Sequence, residues 1–175
     1  MKKFELTNEF VTNMFGTKLF RICALVEFGD VEAGELGGYV EKESNLGHDD
    51  NAWVYDNAWV YGNARVCGDA LVCGNARVCS DALVCGNARV CSDEDYAYAH
   101  GFGSVNRTTT FFRLKDGGVG VRCGCFYGTL AQFRDKIRET HGETKKAQEY
   151  LMLADLMELR FEEDENEVGN RKYVE

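Results

Sequence analysis

NARVCGDALVCGNARVCSDALVCGNARVCSD, residues Asn63 to Asp93, repeats nearly the same message every six residues. With its less perfect neighbours the pattern reads Asn/Asp-Ala-x-Val-Cys/Tyr-Gly/Ser/Asp. Its units begin at Asn51, Asn57, Asn63, Asp69, Asn75, Asp81 and Asn87. Ala and Val stand two residues apart, so in an extended segment both face the same way. The residue between them faces the opposite way: Trp53, Trp59, Arg65, Leu71, Arg77, Leu83 or Arg89. Gly or Ser followed by Asn or Asp then marks a turn, because these residues tolerate left-handed backbone or bond to it locally. Short strands that share one inward face cannot fold back as hairpins, so the chain must coil. Three units per coil place residue i over residue i+18, at about 4.8 Å.

An aliphatic residue every six positions, with a small residue two before it, resembles the hexapeptide repeat of left-handed parallel β-helices. The resemblance, not the spacing, implies the handedness. The expected fold is therefore mainly β: a short parallel β-solenoid with an N-terminal β cap and a C-terminal α+β domain. Residues 37–98 are assigned to the solenoid, with GGYVEKESNLGHDD (Gly37 to Asp50) as two degenerate lead-in units. Nine units make about three coils, a stack only about 14 Å tall with two raw ends to cap.

Residues 1–36 supply one cap, with strands at FEL and within TKLFRICALVEFGD. At the other end, residues 99–161 read as a hairpin around Asp116-Gly117-Gly118 followed by two helices. Thr129 and Gln132 have capping-box spacing, Leu130, Phe133 and Ile137 form one face, and Gly142 is a natural stop. The second helix runs from about Thr144 to Phe161. Residues 162–175 form an acidic tail.

The balance of 20 basic against 29 acidic residues gives a net charge of -9. That argues against direct binding to nucleic acid or to an anionic membrane, which would need a basic patch. No apolar run approaches the roughly 20 residues of a membrane span, and MKKFELTNEF has no apolar h-region of a secretory signal. A cytoplasmic protein is expected. Five of the eight Cys occupy one repeat slot (Cys67, Cys73, Cys79, Cys85, Cys91), which Tyr55 and Tyr61 also fill. The slot does not require sulfur, so these cysteines read as free thiols in a reducing compartment. Stacking would set Cys67 on Cys85 and Cys73 on Cys91, close enough for a disulfide or a soft metal. No four-ligand zinc pattern is present, and Cys123 and Cys125 are expected to pack under the helices.

GELGGYVEKESNL followed by NAWVYDNAWVYGNARV resembles small proteins of bacteriophage and prophage genomes. GCFYGTLAQFRDKIRETHG with YLMLADLMELRF resembles a domain of unknown function in similar phage proteins. The two cover the chain from Gly34 to Phe161. Neither implies an activity or a catalytic residue, and no cofactor or metal is expected. The enzymes that the repeat resembles are acyltransferases, which use a histidine base. The histidines available are His48, His100 and His141. Each also reads simply as a loop, cap or helix-terminus residue.

The outward slot is more telling. Trp53, Tyr55, Trp59, Tyr61, Arg65, Leu71, Arg77 and Arg89 would present aromatics and arginines on a rigid wall, the composition of a protein-binding hot spot. The expected function is a non-enzymatic phage or prophage accessory protein that binds a host protein. The sharpest version is an inhibitor of a bacterial defence system, such as an anti-CRISPR protein. An acidic protein suits a nucleic-acid-handling target with a basic groove. The alternatives are a virion structural protein or oligomeric scaffold, and an acyltransferase.

Overall fold

The computed structural model describes residues 1–103 and 105–162. Beyond Glu162 the expected acidic tail lies outside the described residues. The strands in chain order are β1 (Phe4–Thr12), β2 (Lys18–Ala24), β3 (Leu36–Val40), β4 (Trp53–Val54), β5 (Trp59–Val60), β6 (Arg65–Val66), β7 (Leu71–Val72), β8 (Arg77–Val78), β9 (Leu83–Val84), β10 (Arg89–Val90), β11 (Tyr96–Phe102), β12 (Arg107–Arg113), β13 (Val119–Cys123) and β14 (Phe126–Thr129). Helices α1 (Leu130–His141) and α2 (Lys145–Phe161) follow. Among the described residues no helix is long and apolar enough to cross a membrane.

A regular left-handed β-helix is not what these strands build. The structure is mainly β, divided into several small sheets of mixed type, with two C-terminal helices. The six-residue units contribute strands of only two residues each, and these fall into three separate sheets. One is parallel, in the order β10-β7-β4, and one is the parallel pair β6-β9. The third is a mixed five-stranded sheet, β1-β2-β3-β5-β8, in which β1 and β2 run antiparallel. The expected lead-in units are absent as well. Residues 36–45 form a five-residue strand and a short 3-10 turn, because Gly37 and Gly38 press against the neighbouring backbone. A methyl group on Gly38 would fall 2.6 Å from the Ala58 carbonyl oxygen.

Within the units, the pairing offset is 18 residues: Val54 lies beside Val72 and Val72 beside Val90. The alternation of Ala and Val decides which side is buried. All seven of these alanines and all seven valines are at most 1 % exposed. The turns demand positive φ once per unit. Gly62, Gly68, Gly74 and Gly86 supply it, while Asp56 and Ser80 adopt it without glycine's freedom.

The C-terminal part is a four-stranded antiparallel sheet, β11-β12-β13-β14, with both helices packed on one side. Both helices occur where their caps place them. Thr129 caps α1 in a capping box with Gln132, Gly142 ends it, and Thr144 accepts from the Ala147 N–H at the start of α2. Strand β12 is buried from Thr109 to Phe112 because it is covered on both faces. Phe111 joins the core beneath the helices, and Phe112 joins the core of the six-residue units.

Lys3 ties the N-terminus to this frame. Its side chain is 3 % exposed, and Nζ donates to the carbonyls of Asp50 and Ala52, each at 2.8 Å, and to Asp50 Oδ1 at 3.2 Å. Burial holds its pKa below the usual lysine value, with Asp50 opposing.

Two substitutions test these contacts. Val72→Asp buries a charge with no partner at the centre of its sheet, at a cost of several kcal/mol. Loss of the cooperative thermal transition in circular dichroism is the expected result. Lys3→Met leaves two carbonyls and Asp50 without their cation, and urea titration should show a loss of about 3 kcal/mol.

Candidate protein-binding surface

The outward residues do not form one continuous wall, because the three groups of strands face different ways. On the β4-β7-β10 sheet the outward row is Trp53, Leu71 and Arg89. Trp53, expected on the surface, is fully buried. Phe4 and Phe28 meet its ring edge-on at 6.2 and 5.3 Å, so the N-terminal segment closes over this position.

Further along the same row the cover parts into a groove of about 320 Å³. Gly29, Asp30 and Val31 form one wall and Tyr55, Leu71 and Arg89 the other. Asn51, Asp69 and Asn87 line one edge, and Lys115 reaches in from the C-terminal hairpin. Asn51 Nδ2 donates to Asp69 Oδ1 at 2.9 Å, which fixes that edge. Burial raises the Tyr55 pKa, and the charges of Glu35 and Asp30 raise it further. The phenol therefore stays neutral, an apolar ring with a hydroxyl among charges of both signs.

The adjacent row is Tyr39, Trp59 and Arg77. Tyr39 is buried, its hydroxyl donating to Glu9 at 2.9 Å and accepting from Arg21 at 2.9 Å. Trp59 is half-buried and Arg77 exposed, with the guanidinium 4.7 Å from the indole centroid. That is a cation–π contact laid flat on the surface. Beyond them Tyr61 hydrogen-bonds Cys79, and its pKa is pushed up to about 12, first by burial and then by that bond. Arg65 belongs to the third direction, where it lines a separate hollow with residues 42–49.

Of the eight residues expected on the binding surface, Tyr55, Leu71 and Arg89 thus converge on the groove, and Trp59 stacks with Arg77. Tyr61 stands at a corner, Arg65 points elsewhere, and Trp53 is structural. The groove also depends on Asp30, Val31 and Lys115, which lie far away in the chain. Nothing in the six-residue spacing marks them.

The cysteines and histidines are also placed. Cys73 and Cys91 form a disulfide, which corrects their reading as free thiols. The 18-residue offset puts them on neighbouring rungs, with Cα atoms 4.4 Å apart. Cys123 packs at the edge of the helical core, whereas Cys125, expected there too, is exposed. His48 stacks on Phe4 at 4.4 Å and accepts from the Lys3 N–H at 3.2 Å. His100 Nδ1 is 2.8 Å from Thr108 Oγ1, and His141 stacks on Tyr150 at 5.9 Å. Among the described residues no group of three or more His, Cys, Asp or Glu converges to hold a metal ion.

The different environments of the two tryptophans can be read by fluorescence. Trp59→Phe should leave a blue-shifted emission from Trp53 that acrylamide barely quenches. Trp53→Phe should leave a quenchable emission that becomes more accessible when Arg77→Ala is added.

The chain matches no family model and no curated protein.

Proposed function

We propose that this chain is a non-enzymatic accessory protein of a phage or prophage that binds a protein of the host cell, in the cytoplasm. Its sharpest form is an inhibitor of a bacterial defence system, acting in the manner of an anti-CRISPR protein. The observation that carries the reading is the Trp59–Arg77 stack. It is an aromatic and a guanidinium held against each other on a frame of hydrogen-bonded strands, where little conformational entropy remains to be lost on binding. The groove of Tyr55, Leu71 and Arg89 supports it with an apolar floor and a rim of Asp30 and Asp69 suited to a basic side chain. The net charge of -9 favours a partner with a basic surface, as nucleic-acid-handling proteins have.

An acyltransferase ranks lower because each histidine is already engaged by Phe4, Thr108 or Tyr150. The scaffold reading draws on one feature, the exposed Met152, Leu156 and Leu159 on the outer side of α2.

The test is a pull-down of the tagged protein from a bacterium carrying several defence systems. A stoichiometric nuclease or other defence component is the expected eluate. Trp59→Ala with Arg77→Ala should weaken that complex on the order of thirtyfold, about 2 kcal/mol, while thermal stability stays near wild type. If only the protein itself elutes, as a stable trimer or longer, the scaffold reading replaces this one.

A further inference from the structure

Cys67 and Cys85 lie one residue beyond the paired Val66 and Val84 of the β6-β9 sheet. The Cys67 N–H donates to the Val84 carbonyl at 3.1 Å, and the Asp69 N–H to the Gly86 carbonyl at 3.0 Å. One unit further on, the same register holds Cys73 and Cys91, with the Cys73 N–H donating to the Val90 carbonyl at 2.8 Å. That rung is closed by a sulfur–sulfur bond. The Cys67–Cys85 rung has the same residues in the same ladder and is open, its two thiols hydrogen-bonded to each other.

The surroundings of this pair differ from those of the closed rung. Cys85 is buried, 7 % exposed, while Cys67 is half-exposed. The C-terminal sheet covers the inner sulfur. Tyr127 lies against Gly86, so that even a methyl group there would collide with its hydroxyl. Arg122, the register partner of Tyr127, acts on both sulfurs with its positive charge. Its buried Nε has no hydrogen-bond partner among the described residues. The hydrogen bond from Cys85, helped by Arg65 and Arg122, brings the Cys67 thiol down to about 7, against burial and Asp50. The same bond, with burial, pushes the Cys85 thiol up. One sulfur is an accessible thiolate and the other a protonated thiol behind it, the division of labour that thiol exchange requires.

We propose that Cys67 and Cys85 form a thiol–disulfide exchange site for low-molecular-weight disulfides, with Cys67 the attacking sulfur and Cys85 the resolving one. The Cys67 thiolate attacks one sulfur of RSSR, breaking its S–S bond, forming Cys67–S–S–R and releasing RS⁻. The Cys85 thiol gives its proton to that thiolate and attacks Cys67 Sγ, expelling the second RS⁻, which takes a proton from solvent. The dithiol is oxidised by two electrons, and RSSR is reduced to two RSH. The product is a second bridge between units, at the joint with the C-terminal sheet.

Oxidised glutathione is the probe, applied to the full native chain carrying Cys79→Ser so that peptide 78–89 holds a single cysteine. After alkylation and tryptic digestion, peptides 66–77, 78–89 and 90–107 should appear as one species, joined through Cys67–Cys85 and Cys73–Cys91. Cys67→Ser should abolish the link to 78–89. Cys85→Ser should stop the reaction with one glutathione retained on Cys67, at a rate that rises with pH through about 7. The proposal is overturned if Cys67 and Cys85 stay fully alkylatable while exposed Cys125 takes up glutathione. It is also overturned if the link forms only in denaturant, or if folded Cys85→Ser protein traps nothing on Cys67.

Discussion

Strands of two residues are too short to satisfy their own backbone, and the caps of this structure answer that deficit. Each sheet of six-residue units ends in a row of amide groups that would pair with any passing strand if left open. Here the rows are closed one by one. At the start, β3 pairs with β5, Leu46 bridges to Val66, and Lys3 Nζ takes the Ala52 carbonyl. Asn45 Nδ2, in a fully buried side chain, donates to the carbonyls of Gly62 and Ala64 at 3.2 and 2.8 Å. At the far end the Arg77 N–H donates to Asp93 at 2.7 Å, the Cys91 N–H to Asp95 at 3.0 Å, and the Leu83 N–H to Thr110 Oγ1 at 3.0 Å. A single polar side chain does at each site what a whole strand would otherwise do.

The same constraint sorts the apolar residues. Between neighbouring units there is room only for Ala and Val, so the middle of the molecule is filled by small side chains. The large rings gather at the two ends. Phe4 and Phe28 meet Trp53 at one, and Phe111, Phe126, Phe133 and Tyr150 pack together under the helices at the other. Strand β12 joins the two regimes by alternation alone, with Phe112 facing the units and Phe111 the helices.

What could be read from the sequence was local. The inward faces of the units follow from two-residue alternation, and α1 and α2 from caps three residues away. Whether a regular coil forms is not local. It depends on Gly37 and Gly38 accepting the backbone of β4 and β5, and on β1 and β2 adding antiparallel pairs to one sheet. Trp53 and Trp59 hold the same slot in consecutive units, yet one is core and the other surface. Only the position of Phe28, 25 residues earlier in the chain, separates them. Strands β11 and β14 went unread for the same reason, since YAYAHGF has no apolar alternation to announce it and FYGT runs straight into a helix.

The departures from the repeat are therefore its most informative letters. A slot that needs only to fill space holds Ala or Val without exception. The slots that vary are those in contact with something outside the units. Trp53 lies under Phe28, Tyr55 beside Asp30, Asp93 against the amide of Arg77, and Cys85 beneath Tyr127. By that criterion Trp59 is the anomaly. It is the one large outward aromatic of the units whose face is met by no residue of the N- or C-terminal part, only by Arg77 from the next rung. An indole in the outward slot of a two-residue strand adds little to the interior of this fold. Its natural complement is a surface that another molecule brings.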